Sequence, residues 1–211
     1  MKKLLYSFAV VLFAGSSVMA QQFSCATDHY HQQLVEKDPT LIKDLKQLIA
    51  NGYVEKADGD DSTVFVIPVV FHILHQYGVE NIPDANIFDA MTVLNRDYSK
   101  MNADTNTVVS VYDTLISNTK IQFKLAAYDP WGNCTNGIDR IYTHETYIGD
   151  NFAKLNQWDR SRYLNVWVVN NMEGGVAGYA LYPTAVNGYG YWLDGIVLRY
   201  NYIGRILPGT E

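Results

Sequence analysis

Histidine, glutamate and cysteine are the residues with metal or acid–base chemistry to offer, and their spacing limits what they can do. His144-Glu145 has the look of the opening of the zinc-protease helix motif. That motif sets a second histidine four residues on, so that both imidazoles share one helical face. Here that position is Ile148, and Tyr142, Thr143, Thr146, Tyr147 and Gly149 are poor helix formers. The pair therefore reads as loop, with His144 facing solvent. His72 and His75 lie three apart in an apolar run that reads as a strand, so they point to opposite faces and do not share a metal. His72 is expected in the core or sheet with a backbone partner. His29 and His31 flank Tyr30 and share a face only if that stretch is extended. No Gly-rich phosphate loop and no Gly-x-Ser-x-Gly elbow occurs. The acidic residues are scattered, with no pair that reads as an acid/base couple.

The two cysteines, Cys25 and Cys134, gain meaning from the N-terminus. Lys2-Lys3, the apolar stretch Leu4 to Val18 and the small-x-small Val18-Met19-Ala20 read as an export signal, with the mature start near Gln21. The stretch is too short for a membrane span, and no later segment reads as one. Export places the cysteines in an oxidising compartment. Either they form one disulfide, or Cys25 stays free to bind metal.

The elements that must hold these residues follow from periodicity. The 211 residues are 48% apolar and 18% charged, enough for one good-sized packed domain with a short extra segment. The net charge of −6, with no basic run, argues against nucleic acid and membrane as partners. Residues 25–57 read as a small polar helical segment, with Asp38-Pro39 as helix start and Leu41, Leu45, Leu48 and Ile49 on one face. One such stripe must rest on something else. Ala57 to Ser62, acidic and Gly-containing, reads as a solvated linker and a boundary rather than a calcium loop, which needs spaced ligands and a closing Glu. Val64 to Leu74 reads as a buried strand. Its Pro68 removes a ladder donor and belongs at a ladder start or a locally unpaired position. Asp84 to Ser99 is expected to be helical, capped by Asp84, with Ile87, Met91, Leu94 and Tyr98 as its stripe. Val109 to Ser117 is a weaker helix. Ile121 to Leu125, Leu164 to Val169, Val176 to Tyr182 and Gly195 to Tyr200 read as strands. The fold class is α+β with α/β character: a twisted mixed sheet with packed helices.

Several blocks in order resemble the pappalysin/cytophagalysin family of metzincin zinc endopeptidases. They are Ile67-Pro-Val-Val-Phe-His72, Leu94-Asn-Arg-Asp-Tyr98 with Asn102-Ala-Asp104, Thr135-Asn-Gly-Ile-Asp-Arg140, Leu164-Asn-Val-Trp-Val168, Gly178-Tyr-Ala180 and Asp194-Gly-Ile-Val197. The leader Cys25-Ala-Thr-Asp28, with His31-Gln-Gln-Leu34 and Asp38-Pro39, looks like a propeptide opening, with Ala26 where Gly is usual. The resemblance implies residues 1–20 as signal, 21–62 as propeptide-like segment and linker, and 63–211 as the N-terminal lobe of a catalytic domain. It implies zinc as cofactor of the parent, with the three zinc histidines and the catalytic Glu expected beyond Glu211. No catalytic residue maps onto this chain, which is expected to be inactive by itself. The resemblance assigns Gly178, Tyr179 and Ala180 to an edge strand that binds an extended protein or peptide substrate by strand addition. It assigns Cys25 to the fourth position on zinc in a latent form. The alternative is a secreted, non-catalytic β-rich binding module for glycan or protein. It draws on the 16 Tyr and 4 Trp, with Tyr189, Tyr191 and Trp192 on one loop.

Overall fold

A computed structural model describes residues 25–51 and 63–205. The signal stretch, the linker from Ala57 to Ser62 and the chain end lie outside the described residues. Two helices open the described chain, α1 Thr27–Lys37 and α2 Thr40–Asn51. Asp38 starts α2 as its type predicts: its Oδ1 accepts the Thr40 N–H at 3.0 Å. α1 lies within the segment 25–57 read as helical. Its sequence is polar throughout, and only Tyr30 and Leu34, four apart, reach the core.

Strand β1, Phe65–His75, is the centre of a six-stranded sheet. It is followed by α3 Asp84–Tyr98, β2 Ile121–Leu125 and β3 Ile138–Tyr142. β4 Leu164–Val169, β5 Gly178–Ala180, the short helix α4 Pro183–Val186 and β6 Ile196–Arg199 complete it. The order is β2-β1-β4-β6-β5, with β3 also on β1. Every pairing is parallel except β5 with β6. The expected mixed sheet with packed helices is the observed fold.

Local chemistry explains several elements. Phe65 N–H and Phe71 N–H donate toward β2 and β3, to Lys120 O and Gly137 O, and Val69 O accepts from Ala126 N–H. Odd-numbered residues of β1 thus face that side, and Pro68 faces the other. There the β4 ladder begins only at Val69 opposite Leu164, so the missing donor of Pro68 falls before the first rung. On the outer edge of β2, Asn95 of α3 replaces a neighbouring strand. Its Oδ1 accepts Phe123 N–H at 2.8 Å and its Nδ2 donates to Phe123 O at 2.9 Å.

Both faces of the sheet are covered. On one, Ile87 and Met91 of α3 pack with Val69, Phe71, Ile73, Phe123, Val166 and Val168. On the other, Trp167, Val169, Val197 and Tyr179 are covered by the segments around Ala153 and Met172, by α4, and by the leader through Ala26, Tyr30, Leu34 and Leu41. The leader's apolar stripe therefore rests on the sheet and α4.

Three expectations are corrected, and one strand was not foreseen. The stretch Val109 to Ser117 holds only a short 3-10 turn, Ser110–Tyr112, with Val109, Val111, Tyr112 and Leu115 exposed. Without a surface to bury that stripe, a full helix has little to hold it. Asp84 is the first helical residue of α3 rather than its cap; its carboxylate pairs with Arg140 of β3. The strand expected over Val176 to Tyr182 is three residues long. β3 was not foreseen, because Asp139 and Arg140 break its alternation in a run of five.

Gly195, just before β6, has φ +105°, and a Cβ there would lie 2.5 Å from Trp167 Cζ3 and 2.8 Å from Asn165 O. Gly195→Ala combines a disallowed backbone with a clash against a buried strand. It is expected to cost about 3 kcal/mol or more, the sum of backbone strain and overpacking. Chemical denaturation checks this; a loss under about 1 kcal/mol would show that the strand relaxes freely.

Candidate functional site: the leader-covered edge strand

β5 is the sheet's one antiparallel strand and lies at its edge. Tyr179 is paired with Val197 of β6, so the main-chain groups of Gly178 and Ala180 alternate outward. Gly178 is required by close approach: a Cβ would meet Leu198 Cδ2 at 2.5 Å and Val197 O at 2.6 Å. The leader lies along this outer edge, bridged in parallel at Cys25 opposite Gly178. Ala26 N–H donates to Gly178 O at 3.1 Å, and Ala180 N–H donates to Thr27 Oγ1 at 3.2 Å. Ala26 is buried beneath, while Cys25 remains exposed, its thiol donating to Thr27 Oγ1 at 3.2 Å.

Aromatic packing extends the contact. Tyr30 of α1 lies on Tyr179, ring centroids 4.3 Å apart, and His31 stands edge-on to Tyr182 at 4.6 Å. Tyr182 Oη donates to Asp28 Oδ1 at 3.0 Å, which raises the phenol's pKa. Below the strand, Tyr179 Oη donates to Asn151 Oδ1 at 2.9 Å, and burial pushes its pKa up. Lys154 Nζ sits 5.0 Å over the same ring and donates to Leu193 O. Burial pulls the Lys154 pKa down to about 8, against the opposing pull of Asp194.

The remaining candidates fall elsewhere. His144 is exposed at the start of a 3-10 turn, His144–Tyr147, with Ile148 also exposed. His29 and His31 lie two apart on a helix and so diverge; His29 Nε2 is hydrogen-bonded to Gln33 Nε2. His72 is fully buried, but its partners are side chains rather than backbone. Nδ1 is hydrogen-bonded to Asp139 Oδ2 at 3.1 Å and Nε2 to Asn165 Oδ1 at 3.0 Å. Its ring stacks on Trp167 at 5.1 Å. Tyr191 and Trp192 are exposed on the turn Gly188–Leu193. Cys25 and Cys134 are both free. Cys25 lies outside β5 and Cys134 pairs with Tyr128 in the loop between β2 and β3. The two cysteines thus sit on different segments and are not bonded to each other.

Sequence reasoning missed Glu80, Asp139 and Asn165. The signal for Asn165 was a polar residue inside an apolar strand, and for Asp139 its place beside β1. Glu80 sits in an unremarkable turn. Among the described residues no three His, Cys, Asp or Glu side chains converge as a metal site, and Cys25 offers a single thiol. These residues alone do not fit a bound metal ion. A cleft of about 420 Å³, lined by Pro68, Arg160, Arg162 and Asp194 among others, includes no residue of the leader or β5. Among the described residues no helix is long and apolar enough to cross a membrane.

No family profile matches this sequence, and no curated protein does. Solved structures do. A promirolysin mutant of Tannerella forsythia is 31% identical with a TM-score of 0.74, the match covering 86% of this chain and 61% of that one. Mature mirolysin of Tannerella forsythia in complex with a cleaved peptide is 37% identical with a TM-score of 0.62, over 68% of this chain and 56% of that one. Mirolysin in complex with compound 9 is 38% identical with the same TM-score and coverage. This chain thus spans less than two thirds of the chains it matches. Over the shared stretch, the chain is related to mirolysin, a metallopeptidase of the metzincin type.

Proposed function

We propose that these residues are the leader and substrate-binding upper part of a secreted, latent zinc metalloendopeptidase of the pappalysin/cytophagalysin kind, acting on peptide bonds in proteins. In this reading β5, through Gly178, Tyr179 and Ala180, takes an extended peptide by strand addition. The leader, Cys25 to Asn51, holds that strand until it is cut away in the linker. Cys25 is the thiol that occupies the metal's open position in the latent protein. Zinc, when bound in such an enzyme, would supply the Lewis acid that activates the attacking water. This chain's own residues position substrate and keep it out.

One observation carries the reading: Gly178 O and Ala180 N–H, which a substrate would use, are taken by Ala26 and Thr27 of the leader. The comparisons support it. The match to the pro form extends over 86% of this chain and that to the mature form over 68%, as expected if the leader has its counterpart in a pro-segment. Mature mirolysin was solved with a cleaved peptide.

The test is the secreted protein isolated from its own culture. Casein hydrolysis is expected to appear only after limited proteolysis between residues 52 and 62, to vanish with a chelator and to return with zinc. Cys25→Ala is expected to raise the activity of the uncut protein. A protein that stays inert with zinc after the leader has gone is not a peptidase. A Cys25→Ala protein as latent as the parent removes the role of the thiol and leaves strand occupancy alone.

A further inference from the structure

We propose that Thr27 is the positioning residue of the leader, its hydroxyl fixing the Cys25 thiol and the Ala180 amide at a single oxygen. This rests on the reading that the leader blocks β5. Thr27 is the first residue of α1, but its side chain does not cap that helix; the capping position is Ala26, which has no side-chain group to give. The hydroxyl is turned to the sheet instead. The outward groups of β5 explain why. Gly178 O finds a main-chain partner in Ala26 N–H. Two residues on, the leader has already entered α1, and the Thr27 carbonyl is committed to the helical ladder. Ala180 N–H would be left without a strand partner, and Thr27 Oγ1 takes that place at 3.2 Å.

The same oxygen accepts the Cys25 S–H at 3.2 Å. A hydroxyl oxygen has two acceptor lone pairs, so both donors are accommodated at once. Docking of the leader on β5 and placement of the thiol are therefore one event. Serine preserves the arrangement. Valine has the shape of threonine and loses both bonds.

Thr27→Val and Thr27→Ser in the full chain test this through two readouts. One is the alkylation rate of Cys25 by iodoacetamide, with the exposed Cys134 in the loop between β2 and β3 as internal reference. The other is amide hydrogen exchange at Ala180. Valine is expected to speed both by about tenfold, the ratio expected for losing one net hydrogen bond, with the amides of α1 and β4 unchanged. Serine is expected to restore both to near the parent's rates. Valine leaving both rates unchanged overturns the proposal. So does valine speeding the α1 amides equally with no rescue by serine, since Thr27 is then only a helix residue. An Ala180 amide already unprotected in the parent chain defeats the underlying reading itself, because the leader is then not on β5.

Discussion

Replacing Glu80 with Ala is expected to cost about 3–5 kcal/mol of folding stability, because it orphans three donors around one buried carboxylate. Glu80 has no exposed surface. Its Oε1 accepts Gln76 N–H at 2.8 Å and Gly78 N–H at 3.1 Å, and its Oε2 accepts Asn170 Nδ2 at 2.9 Å. The carboxylate thus ties the turn after β1 to the end of β4. Burial by itself raises the Glu80 pKa, but the hydrogen bonds from Gln76, Asn170 and Gly78 outweigh it, and the group is held below its ordinary range. The sign follows: this stabilisation is present above the ordinary glutamate pKa of about 4.3 and is lost as pH falls through the lower folded value. Urea unfolding of parent and Glu80→Ala at pH 7 measures the cost. The Glu80 contribution should shrink as the pH is taken below 4. A loss under about 1 kcal/mol at pH 7 would mean that water replaces the carboxylate.

The second large effect is expected at the His72 network. Asn165 Oδ1 accepts Trp158 N–H at 2.8 Å while its Nδ2 donates to Trp158 O at 2.9 Å, so the amide cannot be turned round without breaking both. Its oxygen must therefore face His72 Nε2, and His72 Nδ1 faces Asp139, which also accepts from Asn156. Both ring nitrogens are therefore held by side chains of neighbouring strands. The His72 hydrogen bond is the main reason that the Asp139 carboxyl lies below its ordinary range, against its burial. Asn165→Ala removes a fully enclosed hub and is expected to cost about 3–5 kcal/mol, as for other buried polar deletions that leave partners unpaired. Asn165→Asp keeps the shape but sets a carboxylate oxygen against Trp158 O, and it should be comparably harmful. If the aspartate variant unfolds at the parent's denaturant midpoint, the amide orientation is not what holds the site. Asp139 adds a pH signature: its stabilisation is present above about pH 3.9 and fades as pH falls through its lower folded value. Asp139→Asn should flatten the acid limb of the stability profile.

How much of this was legible in the sequence varies with the range of the interaction responsible. Val64 to Leu74, Leu164 to Val169 and the Ile87-Met91-Leu94 stripe announced their elements through period 2 or 3.6, because each buries a face wherever it packs. Pro68 announced a missing rung. Gly178-Tyr-Ala180 was legible as an edge strand through the family blocks, and its short length was not. By contrast, His72 meets Asp139 across 67 residues and Asn165 across 93. Parallel register, with His72 opposite both Asp139 and Trp167, decides those meetings, and nothing local encodes register between strands joined by long connections. The leader read as helical, but its seat on β5 was decided by tertiary contact: α1 is polar and short, and its helix is held by resting Tyr30 and Leu34 on the sheet. The sequence by itself determined which segments turn a face inward and which residue types were available for chemistry. Only the folded sheet decided which of them meet, because distance along the chain does not set distance in space.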